Sequence, residues 1–149
     1  MDTVIEIILV EDNPYEAELA IRSLKKNGLA NNLIHFEDGA EVLDYIFNGA
    51  NEPDVLRPLP KLILLDLKLP KVDGIEVLRQ LKEDPKTKMI PVVIMTSSKE
   101  EKDIVESYQL GVNSYLVKPV SFETFTKVIN DLGFYWLLLN QTPLNNNVQ

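Results

Sequence analysis

The chain has 149 residues, 45% of them hydrophobic and 26% charged, with a net charge of −8 and no cysteine. That balance fits one globular domain with its own core; it excludes disulfide or thiol chemistry and argues against nucleic-acid binding through a basic surface. A single histidine, His35, excludes multi-histidine metal sites, and no apolar run approaches the roughly 20 residues that span a bilayer.

Ile5 to Val10 is a short aliphatic run, read as a central strand ending at Glu11-Asp12. Asn13 is placed to cap a helix with Pro14 at its first position, Leu19, Ile21 and Leu24 as apolar positions and Gly28 at its end. Asn32 to Phe36 reads as a second, weaker strand, and Gly39 to Phe47 as a helix with the apolar stripe Val42, Leu43 and Ile46. Asn48 to Pro60 is too long for an ordinary helix–strand link and is expected to be a surface loop.

Lys61 to Asp66 is the third strand: four large aliphatics stop at a carboxylate. A turn through Pro70 follows, and Asp73-Gly74 opens a helix that Asp84-Pro85 breaks. Ile90 to Met95 is the fourth strand, ending at Thr96-Ser97-Ser98. Ser98, with Glu101 three residues on, has the spacing of a capping box for a helix reaching about Leu110, with Gly111 just beyond it. Ser114 to Val117 is the fifth strand, ending at Lys118-Pro119. Ser121 caps a last helix reaching as far as Leu139, with Phe122, Phe125, Ile129, Leu132 and Trp136 expected on its core face; Asn140 to Gln149 is polar and expected to fray.

Five strands alternating with five helices imply a doubly wound α/β fold, a parallel sheet with helices on both faces. Chemistry in such sheets gathers at the carboxyl ends of the strands. Those ends carry Glu11 and Asp12, then Asp66, Thr96 and Lys118. Each alone has an ordinary explanation, as a turn residue or a solvated charge near a helix N-terminus. Together they make a receptor for a phosphoryl group. Clustered carboxylates repel unless a hard cation such as Mg²⁺ offsets them, Lys118 adds a fixed positive charge, and Thr96 adds a hydroxyl. Phosphoryl transfer asks mainly for positioning and charge neutralisation, which leaves Asp66 as the natural nucleophile.

These segments resemble the receiver domain of two-component response regulators over about residues 4 to 132. Val10-Glu11-Asp12-Asn13 resembles the family's acidic pair, with Glu at the first acid. Leu65 to Gly74 resembles the phosphoacceptor segment, with Leu69 where Met is usual. Ile94-Met95-Thr96-Ser97 and Lys118-Pro119 resemble the signatures of strands four and five. The resemblance implies a flavodoxin-like strand order 2-1-3-4-5 and Asp66 as phosphoacceptor. Asp12, Asp66 and the Lys68 backbone carbonyl would hold Mg²⁺, for which Mn²⁺ could substitute, with Glu11 acting through water. Thr96 and Lys118 would contact phosphoryl oxygens, Tyr115 would be the aromatic switch, and the bond before Pro119 would be cis. It implies a signalling domain that turns over no separate substrate, a sensor histidine kinase as partner and a downstream protein as target.

The segment Leu132 to Leu139 is apolar all round, as interface segments are. A symmetric homodimer through the last helix and this end is expected. Its Gly-Phe-Tyr-Trp run, the long loop before strand three and the stretch Asp84 to Pro91 are similar to single-domain regulators that partner phytochromes. The chain is thus expected to be one domain over 1–149, with a core at 4–132, an apolar helical extension at 133–139 and a flexible tail at 140–149. The start Met1-Asp2-Thr3 is no basic leader and no output segment follows the core, so a cytoplasmic protein acting through protein binding, without DNA or membrane contact, is expected. A haloacid dehalogenase-type phosphatase would place a second acid two residues after its nucleophile, where this chain has Lys68. The same fold also serves phosphate-independent binding modules and flavin proteins, but no Ser/Thr-rich phosphate loop for a flavin follows strand one.

Overall fold

The computed structural model describes residues 6–26, 28, 32–48 and 59–132. Their order is β1 (Ile7–Val10), α1 (Pro14–Lys26), β2 (Leu33–Phe36), α2 (Gly39–Leu43) running into a π-helical turn (Asp44–Asn48), β3 (Leu62–Leu65), α3 (Gly74–Glu83), β4 (Val92–Thr96), α4 (Glu101–Gln109) and β5 (Ser114–Val117), followed by the helical residues 122–132, here α5. The strands form one parallel sheet in the order β2-β1-β3-β4-β5, as expected.

Alternation along the buried strands divides the core into two layers. Ile8, Val10, Ile63, Leu65, Val92 and Ile94 face α2 and α3, meeting Val42, Val77, Leu78 and Leu81. Ile7, Leu9, Leu62, Leu64 and Val93 face the other way, meeting Ala17, Ala20 and Leu24 of α1 and Phe125 and Ile129 of α5. Each fully buried Leu or Ile of β3 contributes about 1.5–3 kcal/mol by leaving water, so Asp66 leaves a strand anchored on both faces.

The helix ends follow the expected signals with one exception. The Asn13 side chain accepts from the Tyr15 and Glu16 amides, at 2.9 and 3.0 Å. Gly28 and Gly111 adopt positive φ just past their helices, and the Ser121 hydroxyl accepts from Thr124 N at 3.1 Å. The exception is α4. Its N-cap is Glu100, which makes no side-chain cap hydrogen bond, and Ser98 lies outside the helix. The Ser98 hydroxyl accepts from the Glu100 amide and donates to Asp103 instead, so the proposed capping box with Glu101 does not form around Ser98.

Two further expectations change. The helix expected over Gly39 to Phe47 is α-helical only to Leu43 and widens to a π-turn beyond it. Phe122 is 45% exposed rather than in the core. It lies almost a full helical turn before Phe125, where α5 has not yet reached the sheet, and Lys26 Nζ sits 4.9 Å from its ring centroid. The surface loop, the extension beyond Leu132, Trp136 and the Asn-rich tail fall largely or wholly outside the described residues.

Candidate functional site

The central strands stop in register. Val10 pairs with Leu65, so Glu11 and Asp66 leave the sheet side by side, and the Asp66 amide donates to Val10 O at 3.1 Å. One strand further, Thr96 pairs with Val117, and the Lys118 amide donates to Thr96 O at 2.7 Å. Register alone therefore brings four chain segments to one edge.

Carboxylate oxygens of Glu11, Asp12 and Asp66 lie within 4.8 Å of one another. Glu11 and Asp66 are buried and Asp12 is exposed. Lys118 reaches into the cluster from β5, its Nζ 2.6 Å from Glu11 Oε1 and 3.1 Å from Asp66 Oδ2. It also pairs with Glu16 of α1. The backbone fixes the acids further: Lys68 N donates to Asp66 Oδ1 at 3.2 Å and Asn13 N to Glu11 Oε2 at 3.1 Å.

Burial pushes the Glu11 carboxyl above its usual range; the Lys118 hydrogen bond opposes this and the charge of Asp66 adds to it. Burial alone would push the Lys118 ammonium down, but hydrogen bonds to Glu11 and Glu16 and the Asp66 charge outweigh it and hold it well above its usual range. One ammonium faces four carboxylates, so the cluster carries excess negative charge on oxygen donors only. That is the donor chemistry of a hard divalent cation, and Glu11, Asp12 and Asp66 fit one.

Thr96 is fully buried, its hydroxyl accepting from Ser98 N at 3.3 Å. Tyr115 is half-buried and donates its hydroxyl to Ser98 O at 3.1 Å; burial raises its pKa. The Lys118-Pro119 bond is cis, as expected.

Two residues escaped the sequence reading. Glu16 signals itself only as an acid one helical turn after Asp12. Asp103 looks like a routine first-turn acid of α4, yet it is buried, takes the Ser98 hydroxyl at 2.6 Å and has Lys68 Nζ at 3.7 Å.

The loop from Asp66 to Gly74 is held by backbone packing. The Gly74 amide donates to Leu67 O at 2.8 Å. A Cβ at Gly74 would lie 2.2 Å from Asp66 O, and one at Gly39 would lie 2.1 Å from Val72 O. Only glycine fits either approach.

Residues 7–130 match the family model of the response regulator receiver domain. The chain is 41% identical over 139 residues to a probable methanogenesis regulatory protein, FilR2, of Methanothrix harundinacea, covering 92% of this chain and 86% of that one. Among solved structures, it is similar to the phosphorylated cyanobacterial phytochrome response regulator RcpA, with 36% identity and a TM-score of 0.74 over 90% of this chain and 94% of that one. It is similar also to the Mn²⁺-bound form of response regulator Rcp1, with 37% identity and a TM-score of 0.72 over 89% and 94% of the two chains.

Proposed function

This chain belongs to the response regulator receiver family, and from that membership we propose that it accepts a phosphoryl group from a sensor histidine kinase onto Asp66 and changes a protein-binding surface in response. The observation that carries this reading is Lys118 Nζ at 3.1 Å from Asp66 Oδ2 inside a cluster of three further acids.

In the transfer, an Asp66 carboxylate oxygen bonds to phosphorus as the phosphorus–nitrogen bond of the donor's phosphohistidine breaks, the imidazole leaving with the electron pair. Asp12, Asp66 and the Lys68 carbonyl would hold Mg²⁺, with Glu11 acting through water; the ion supplies neutralisation of the phosphoryl oxygens. Lys118 and the Thr96 hydroxyl take the remaining oxygens. As Thr96 turns toward them, the loop through Ser98 shifts, and Tyr115, bonded to Ser98 O, moves with it.

A protein donor suits the surroundings better than a small phosphoester. A cleft of about 400 Å³ opens beside Lys118, lined by Tyr15, Leu19, Met95, Pro119 and Phe125, and Tyr15 and Leu19 are exposed. Similarity to the phytochrome regulator RcpA favours a phytochrome kinase as that donor. A homodimer through the last helix and the apolar stretch Leu132 to Leu139 remains part of the proposal. No helix among the described residues is long and apolar enough to cross a membrane, in keeping with a cytoplasmic location.

Phosphotransfer from candidate kinases to wild type and Asp66→Asn tests the reading, with oligomeric state followed by light scattering. Acid-labile phosphate on wild type alone, dependent on Mg²⁺, is expected. Equal labelling of both proteins, or steady phosphate release from small phosphoesters, would overturn it.

A further inference from the structure

Asp103 is a buried carboxylate outside the acidic cluster, and its partners are telling. The Ser98 hydroxyl donates to its Oδ2 at 2.6 Å, and Lys68 Nζ lies 3.7 Å from the same oxygen. Ser98 stands two residues after Thr96, and Lys68 two residues after Asp66. One carboxylate on α4 therefore ties together the two loops that leave the phosphoryl site. Ser98 in turn gives its amide to Thr96 Oγ1 and takes the Tyr115 hydroxyl on its carbonyl.

A first-turn acid ordinarily faces the free amides of its own helix. Here the amide of Asp103 bonds Glu100 O, and its side chain turns away to Ser98. Its position is explained by the loops it joins rather than by capping.

We propose that Asp103 is a positioning residue that holds the Lys68 ammonium away from the phosphoryl group and so sets how tightly the phosphorylated arrangement is held; this rests on the assignment of Asp66 above. Lys68 is exposed on a flexible stem, and its own amide already bonds Asp66 Oδ1. A phosphoryl group on Asp66 adds charge and three acceptor oxygens two residues away. The ammonium then has two anionic partners, and Asp103 is the one that opposes the change. Ser98, held by the same carboxylate, restrains the loop on which Thr96 must move.

Titration with beryllofluoride in saturating Mg²⁺, followed by ¹⁹F NMR, tests this without any kinase. Asp103→Asn keeps an acceptor for Ser98 but removes the charge. It is expected to bind the phosphoryl mimic about three- to fivefold more tightly than wild type, the worth of one partly screened ion pair. In a Lys68→Met background the same substitution is expected to change nothing, and added salt shrinks the gain in the Lys68 protein. An equal effect in both backgrounds would reduce Asp103 to an anchor of α4 and overturn the proposal. Wild type that binds no beryllofluoride while folded would instead overturn the assignment of Asp66.

Discussion

Lys118→Met removes the one ammonium from the acidic cluster while keeping most of the side-chain volume. Three contacts go with it: one to Glu16, and the two at 2.6 Å to Glu11 and 3.1 Å to Asp66, whose side chains are 6% and 8% exposed. Breaking such a pair from the cationic side leaves buried carboxylates uncompensated, a loss of about 3–5 kcal/mol. In chelator, urea unfolding should therefore show the variant destabilised by about 3 kcal/mol or more. Saturating Mg²⁺ should return part of it, because a cation at the cluster replaces the missing charge. If about 2 kcal/mol returns, the thermodynamic cycle requires the variant to bind Mg²⁺ about 30-fold more tightly than wild type, which calorimetry measures independently. The sign with pH follows as well. The folded-state pKa of Lys118 is raised, so its contribution is complete below the unfolded lysine value of about 10.4 and disappears only as pH rises through the folded one. The difference between the two proteins should therefore be steady through neutral pH and close at strongly alkaline pH. The same loss with and without Mg²⁺, or a loss below about 1 kcal/mol in chelator, would refute the charge-balance argument.

Gly74→Ala should cost about 1–3 kcal/mol by forcing a methyl against the Asp66 carbonyl; an unchanged urea midpoint would contradict the close approach. Thr87→Val should cost about 1–2 kcal/mol, because the buried Thr87 hydroxyl donates to Leu81 O at 2.6 Å and valine leaves that carbonyl without its partner; thermal unfolding reads it. Apparent Mg²⁺ affinity should rise with pH just above the usual carboxylate range and then level. The folded-state pKa of Glu11 is raised, so the metal competes with its proton there, and by the same linkage the metal-free fold loses stability as pH rises through that window. Calorimetric titrations at stepped pH check both limbs.

The strands that carry the site were legible because β1, β3 and β4 are unbroken aliphatic runs that end on polar residues, and buried parallel strands write themselves that way. The acidic cluster was legible for the same reason: register lines the strand ends along one edge, so residue type at the ends of β1, β3 and β5 was enough to bring together Glu11, Asp12, Asp66 and Lys118. What escaped depends on the angle at which a helix meets the sheet. Phe122 fits the apolar stripe of α5 by spacing, but the stripe starts before the helix reaches the core. Ser98 and Glu101 have the spacing of a capping box, yet the loop runs two residues further before α4 begins, because Ser98 is engaged by Asp103. Glu16 and Asp103 were passed over because an acid in the first turn of a helix is ordinary in any sequence; only the fold shows which of them turn inward.

The glycine contacts at Gly39 and Gly74 make the surroundings of Asp66 lopsided. On the α2–α3 side, main chain touches main chain at both glycines, with an ion pair from Lys71 to Asp38 beside them, so displacement there means moving whole elements. Toward α4 the connections are hydroxyls, an ammonium and a phenol, which can exchange partners by rotating single bonds. A disturbance at Asp66 would thus meet a rigid wall on one flank and a compliant one on the other, and would spread by the compliant flank.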